Sequence, residues 1–227
     1  MSTPARAGDV EIRVEEDPAR VVAEELVRAA RAGGDIALSG GSSPRAAYRL
    51  ASRLEVRWGN VELWFADDRC VPPADDRSNY RLVRETLLDG IAVLPTVHRI
   101  RGERPPQEAA ALYDDELRGR SLDLVLLGIG PDGHTASLFP RGPELEERER
   151  RAVAVEARME PFVPRVTMTI PALADAALAL FLVTGEDKAD AVARAFHGEP
   201  SPDTPASLVR GRRTVAVLDT AAARGLI

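Results

Sequence analysis

Asp132 and His134 stand two residues apart in the run Gly128-Ile129-Gly130-Pro131-Asp132-Gly133-His134, directly after the apolar stretch Leu122–Leu127. A histidine titrates near neutrality, so it can take a proton from water and return it, and a neighbouring carboxylate can orient its ring. The competing reading is a histidine bonded to backbone with a purely structural role. The glycines also reproduce the spacing of a dinucleotide-binding loop. That fingerprint needs a long helix beginning inside it and a ribose-binding acid about 20 residues further on. Pro140 closes off such a helix, and no strand ending in an acid follows at that distance.

A second chemical segment is Ser39-Gly40-Gly41-Ser42-Ser43-Pro44, which leaves the apolar run Ile36–Leu38 and leads into a helical pattern. Glycines allow a tight turn, serines supply hydroxyls, and the start of a helix presents unpaired amides, an arrangement suited to phosphate. The plainer alternative is a strand–helix turn with Ser43 as N-cap. Asp67-Asp68-Arg69 follows the strand pattern Val61–Phe65, and Asp75-Asp76-Arg77-Ser78-Asn79-Tyr80 opens the next helix. Alternating acids and guanidinium groups suit sugar hydroxyls and a developing oxyanion, or form solvated ion pairs with Asp76 or Ser78 as cap.

Two further cations start separate elements, Arg165 at an alternating strand and Lys188 in the first turn of a helix. They could converge on a phosphate, or Lys188 could pair with Glu186 or Asp187 at the surface. Lys188 is the only lysine among 30 basic residues, so its retention asks for a reason. Cys70 has no recognisable base partner and reads as an incidental thiol. His98 reads as structural and His197 as a helix-end cation. No Gly-x-Ser-x-Gly elbow surrounds any serine, which argues against a serine triad.

These segments need elements to hold them. Val10–Val14 alternates as a strand; Asp17 and Pro18 open a helix that Gly33-Gly34 stops. Further strands are predicted at Ile36–Leu38, Val61–Phe65, Leu122–Leu127, Arg165–Ile170, Ala177–Val183 and Thr214–Leu218. Helices are predicted after Pro44, over Ser78–Leu88, Gln107–Arg118 and Glu186–Phe196. Strands alternating with helices mean a three-layer α/β/α fold with a mostly parallel, Rossmann-like sheet and helices on both faces. The apolar Leu122–Leu127 strand fits the centre, whereas the alternating Arg165–Ile170 fits a less buried position. Arg141–Arg151, rich in charge, reads as a solvated excursion rather than a linker, so residues 1–227 are expected to form a single domain. In such folds ligands sit at the carboxyl ends of the strands, where all four chemical segments fall.

Composition agrees. A chain of 227 residues, 44% hydrophobic and 29% charged, is ordinary for a globular protein. Its net charge of −6 is a poor footprint for nucleic acid or anionic membranes. One cysteine excludes an internal disulfide and a multi-cysteine metal site. Met1 to Pro18 is polar and acidic, so no secretory signal is expected.

Taken together, Leu38–Pro44, Asp67-Asp68-Arg69, Ser78-Asn79-Tyr80, Gly128–Pro140, Arg165–Thr169 and Gly185–Lys188 resemble the 6-phosphogluconolactonase family. This is the lactonase branch of the glucosamine/galactosamine-6-phosphate isomerase superfamily. Gly130–Pro140 is the most specific of these runs. The related deaminases and isomerases carry an acid-containing run where this chain has Thr135-Ala136-Ser137-Leu138-Phe139-Pro140. They also carry Asp-Glu-Tyr where it has Asp67-Asp68-Arg69. The lactonase pattern usually reads Asp-Glu-Arg there, and the change keeps the charge.

The resemblance implies hydrolysis of a sugar-phosphate lactone with His134 as general base and Asp132 orienting it. It implies Arg69 or Arg77 at the oxyanion and sugar oxygens, and Gly40, Gly41, Ser42, Ser43, Asp67, Arg165 and Lys188 as the substrate and phosphate grip. No metal and no cofactor are implied, nor any nucleic-acid or membrane partner. A cytoplasmic monomer or weak homo-oligomer is expected. An isomerase or deaminase of the related group and a non-catalytic sugar-phosphate sensor are the alternatives.

Overall fold

The computed structural model describes residues 10–226. The polar start of the chain, read above as lacking a secretory signal, lies outside the described residues as far as Asp9, as does Ile227. The first strand, β1 (Val10–Val14), leads to α1 (Pro18–Ala32), whose N-cap Asp17 accepts from the Arg20 amide at 3.1 Å. Gly33, at φ 79°, ends that helix where a side chain would be strained. The chain continues through β2 (Gly34–Leu38), α2 (Ser42–Ala51), β3 (Val61–Phe65), β4 (Asp67–Arg69), α3 (Asn79–Thr86), β5 (Thr96–Val97) and α4 (Pro106–Leu117). It then forms β6 (Leu124–Leu127), β7 (Ala152–Val155), β8 (Arg165–Met168), α5 (Ile170–Ala174), β9 (Leu178–Val183), α6 (Ala189–Phe196) and β10 (Arg213–Leu218).

Seven strands make one parallel sheet in the order β1-β10-β9-β6-β2-β3-β5. All of β6 is buried, as its unbroken Leu-Val-Leu-Leu run requires of a strand covered on both faces. The α/β class expected from the alternation of elements is the one observed. From β2 the chain winds outward to β3 and β5 on one side and returns to β6 on the other. The crevice outside the carboxyl ends of β2 and β6 is therefore a topological switch point, where this class of sheet binds its ligands. Among the described residues, no helix is long and apolar enough to cross a membrane.

The structure departs from the sequence reading beside that crevice. The polar segment after β3 is not all loop: Asp67–Arg69 pairs antiparallel with β8, and β8 with β7, forming a second, three-stranded sheet. Alternation placed Arg165–Ile170 at a less buried position, yet Arg165 to Met168 are all buried. The polar members of the alternation face a buried polar cluster instead of water: Thr167 Oγ1 accepts from the Ser137 amide at 3.2 Å, and Arg165 lies 5.4 Å from the Phe139 ring. Arg141–Arg151 is only partly solvated. Glu144 and Leu145 turn inward because the Glu144 carboxylate accepts the Phe139 amide at 2.9 Å.

Candidate active site

Residues from five segments line one cavity of about 220 Å³ at the switch point: the turn after β2, the β4–α3 region, the turn after β6, the start of β8 and the turn after β9. The loop after β6 contributes His134. Its Nδ1 lies 2.5 Å from Asp132 Oδ1, which also accepts the His134 backbone amide at 3.1 Å. Burial pushes the Asp132 pKa up, but the His134 bond and charge outweigh it and hold the carboxyl below its ordinary value. An ionised Asp132 takes the Nδ1 proton as its hydrogen bond, leaving Nε2 as the basic nitrogen. The ring packs against Phe139, with centroids 5.4 Å apart.

Gly130 makes this geometry possible, since a Cβ there would lie 2.1 Å from the imidazole. No helix follows Gly133, so the loop is not a dinucleotide site. Ala136, also lining the cavity, holds φ 49°, a left-handed conformation that non-glycine residues adopt rarely and mostly where the surroundings enforce it.

The helix after β2 begins at Ser42, two residues earlier than the proline suggested, with Gly41 (φ 109°) at the N-cap position and no side-chain cap. Ser43 is thus not the cap; it shares a 2.7 Å hydrogen bond with Thr184 across the crevice. Gly40, Gly41, Ser42 and Ser43 all line the cavity. Asp67 lies at its floor, one carboxylate oxygen accepting from Ser137 Oγ at 2.6 Å and the other from Asn79 Nδ2 at 3.2 Å.

Three cations face the space. Arg69 closes β4 and donates to Asn79 Oδ1 and, at 3.2 Å, to the Arg77 carbonyl. Arg165 is 3% exposed; burial draws its pKa down, and its guanidinium donates to the Glu160 carbonyl at 3.1 Å. Lys188 ends a 3₁₀ turn, Glu186–Lys188, which precedes α6 rather than forming its first turn, with Nζ 3.3 Å from Asp187.

Of the residues expected at the site, Arg77 and Asp132 do not line the cavity, and Arg77 sits in an adjoining hollow. Both arms of its guanidinium are taken by Asp75, each at 2.8 Å. Sequence left Arg69 and Arg77 equivalent; position separates them. Asp132 stands behind His134 rather than in the wall. Cys70 is half-buried and its pKa is pushed up to about 11 by burial, which keeps the thiol protonated and unreactive at neutral pH. His98 stacks on Trp64 at 3.9 Å and does not line the cavity. Asn79 and Ser137 were given no role from sequence, although both belong to the motifs that carried the resemblance. Nothing local marks an asparagine in the first turn of a helix as a buried hydrogen-bonding hub.

Known proteins bear on this arrangement. Residues 12–218 match the family described as glucosamine-6-phosphate isomerases/6-phosphogluconolactonase. A 6-phosphogluconolactonase of Streptomyces coelicolor is 34% identical over 96% of this chain and 92% of its own. The 6-phosphogluconolactonase of Homo sapiens is 38% identical over 86% of this chain and 81% of its own. The crystal structure of 6-phosphogluconolactonase from Thermotoga maritima superposes with a TM-score of 0.81, covering 93% of this chain and 99% of that one at 28% identity. A chain with this sheet order, this crevice and these relatives belongs to the glucosamine-6-phosphate isomerase/6-phosphogluconolactonase family.

Proposed function

We propose that the protein hydrolyses 6-phospho-D-glucono-1,5-lactone to 6-phospho-D-gluconate, the ring-opening step of the oxidative pentose phosphate pathway. The observation that carries this reading is His134, oriented by Asp132, in one cavity with Arg69, Arg165 and Lys188. His134 Nε2 takes a proton from water as the oxygen attacks the lactone carbonyl. Charge then develops on the carbonyl oxygen, where Arg69 is the available donor. Collapse of the tetrahedral intermediate breaks the bond to the ring oxygen, which receives the proton from His134. A lactone is an activated ester, so a base worth roughly 10²–10⁴-fold and an electrostatic donor worth about 10²–10³-fold suffice without a covalent intermediate. Arg165, Lys188, Ser42 and Ser43 would hold the phosphate, with the start of α2 contributing its amides. The reading is of one domain acting in the cytoplasm as a monomer or weak oligomer on a small sugar phosphate.

Loss of 6-phosphogluconolactone above its spontaneous hydrolysis is the test, with purified protein, with a chelator, and with His134→Ala. Fast, chelator-insensitive loss is expected, falling at least about 10²-fold in the variant while 6-phosphogluconate still binds. Hydrolysis at the background rate by the unaltered protein would sink the proposal and favour isomerase, deaminase or sensor readings. Undiminished turnover in His134→Ala would remove the assigned base.

A further inference from the structure

Arg69 is half-buried, and its guanidinium is held in an unusual way. Among the described residues no carboxylate lies within 4.0 Å of its guanidinium, in contrast to Arg77, which Asp75 neutralises. Its partners are neutral oxygens, Asn79 Oδ1 and the Arg77 carbonyl, and its Nε has none. A carboxylate is nevertheless close. Asp67 is 5% exposed, and the Asn79 amide is interposed between it and the arginine: Nδ2 donates to the Asp67 carbonyl at 2.8 Å and to its carboxylate at 3.2 Å, while Oδ1 accepts from Arg69. These acceptors fix which end of the amide faces which neighbour.

Two independent features hold Asn79 in that place. Asp68 accepts the backbone amides of Asn79 and Tyr80 at 2.6 and 3.0 Å, docking the start of α3. On the opposite side, a Cβ on Gly40 would lie 1.8 Å from Asn79 Oδ1, so the first glycine of the β2 turn is a glycine because the asparagine fills that space.

We propose that Asn79 is the positioning residue of Arg69: it fixes the guanidinium with a neutral acceptor and screens it from Asp67, so that the arginine's charge remains available to the reacting carbonyl. This rests on the lactonase reading above. An aspartate at 79 would hold the guanidinium equally well but neutralise it. An alanine would release it toward Asp67. Both changes should act on the transition state, where charge on the carbonyl oxygen is largest, more than on the bound lactone.

The test is steady-state lactone hydrolysis by Asn79→Asp and Asn79→Ala, each alone and combined with Arg69→Gln, with thermal unfolding recorded for every variant. Asn79→Ala carries the test if the aspartate variant does not fold. The expected result is a fall in kcat of about 10-fold or more with KM within about 3-fold. In the Arg69→Gln background the same substitution should cost less than about 2-fold, because its target is gone. A purely structural asparagine would instead produce the same loss in both backgrounds, which overturns the proposal, as does a wild-type kcat in a folded variant. If the unaltered protein shows no hydrolysis, the lactonase reading falls and this inference with it. Normal wild-type hydrolysis with uncoupled variants removes the inference alone.

Discussion

Asp68 carries its negative charge into the protein with amides and a hydroxyl, not a cation, as its bonding partners. It accepts from the backbone of Arg69, Asn79 and Tyr80 and from Ser78 Oγ. Burial outweighs those bonds and pushes its pKa up to about 6, above the 3.8 of an ordinary aspartate. Between those two values the folded state binds the proton more tightly than the unfolded chain does. The group's contribution to stability therefore grows as pH falls through 6 and is lost as pH rises through it. An asparagine in its place cannot titrate, although its NH₂ would face donors and leave one amide unpaired at every pH. Urea unfolding of wild type and Asp68→Asn at pH 7.5 and 4.5 should show the difference between them moving in favour of wild type by about 2 kcal/mol on acidification. A difference that stays constant across that range would mean that Asp68 is not a buried, high-pKa carboxylate. The cost of this buried charge has a structural return, because the amides it accepts seat Asn79.

The elements that carry the site divide by how local their determinants are. β1, α1 and β6 were legible because their signals lie within themselves: alternation, an Asp-Pro start with a glycine stop, and an unbroken apolar run. The α/β class and the strand-end location of the cavity followed from them. The second sheet was not legible. Asp67-Asp68-Arg69 has poor strand propensity, and pairing with β8 some hundred residues away, Asp67 opposite Thr167, overrides it. The alternation of Arg165 and Thr167 pointed to a less buried strand because no local pattern separates a solvated polar face from one lining a buried site. At α3 the cap was visible as one of two candidates, and Ser78 fills it, accepting from the Arg81 amide at 3.2 Å while donating to Asp68. Ser78→Ala should cost about 1–2 kcal/mol in urea unfolding, a cap plus a partner for a buried carboxylate. Because this turn also seats Asn79, kcat should fall as well with KM little changed. Loss of stability with kcat intact would show that the helix start and the arginine are mechanically separate.

At the scale of the whole molecule, a chain of net charge −6 must admit a substrate whose phosphate is itself negative. Exposed carboxylates farther from the cavity than a Debye length, roughly 10 Å in about 0.1 M salt, are already largely screened there. Arg69, Arg165 and Lys188 instead act at contact distance inside a concave, partly desolvated space, where the field is focused and screened less. Raising salt from about 0.1 to 0.5 M should therefore weaken attraction more than it relieves repulsion: KM should rise about 2–5-fold, with kcat unchanged. Lys188 is open to mobile ions, its side chain 20% exposed where Arg165 is 3% exposed. Lys188→Ala should raise KM about 10-fold at low salt, the worth of one charge-assisted hydrogen bond, and flatten the salt dependence. Steady-state kinetics over that salt range decide the matter. A variant that keeps both the wild-type KM and its salt slope would move the phosphate grip to Arg165 and the β2 turn, and would leave the chain's only lysine as the surface partner of Asp187.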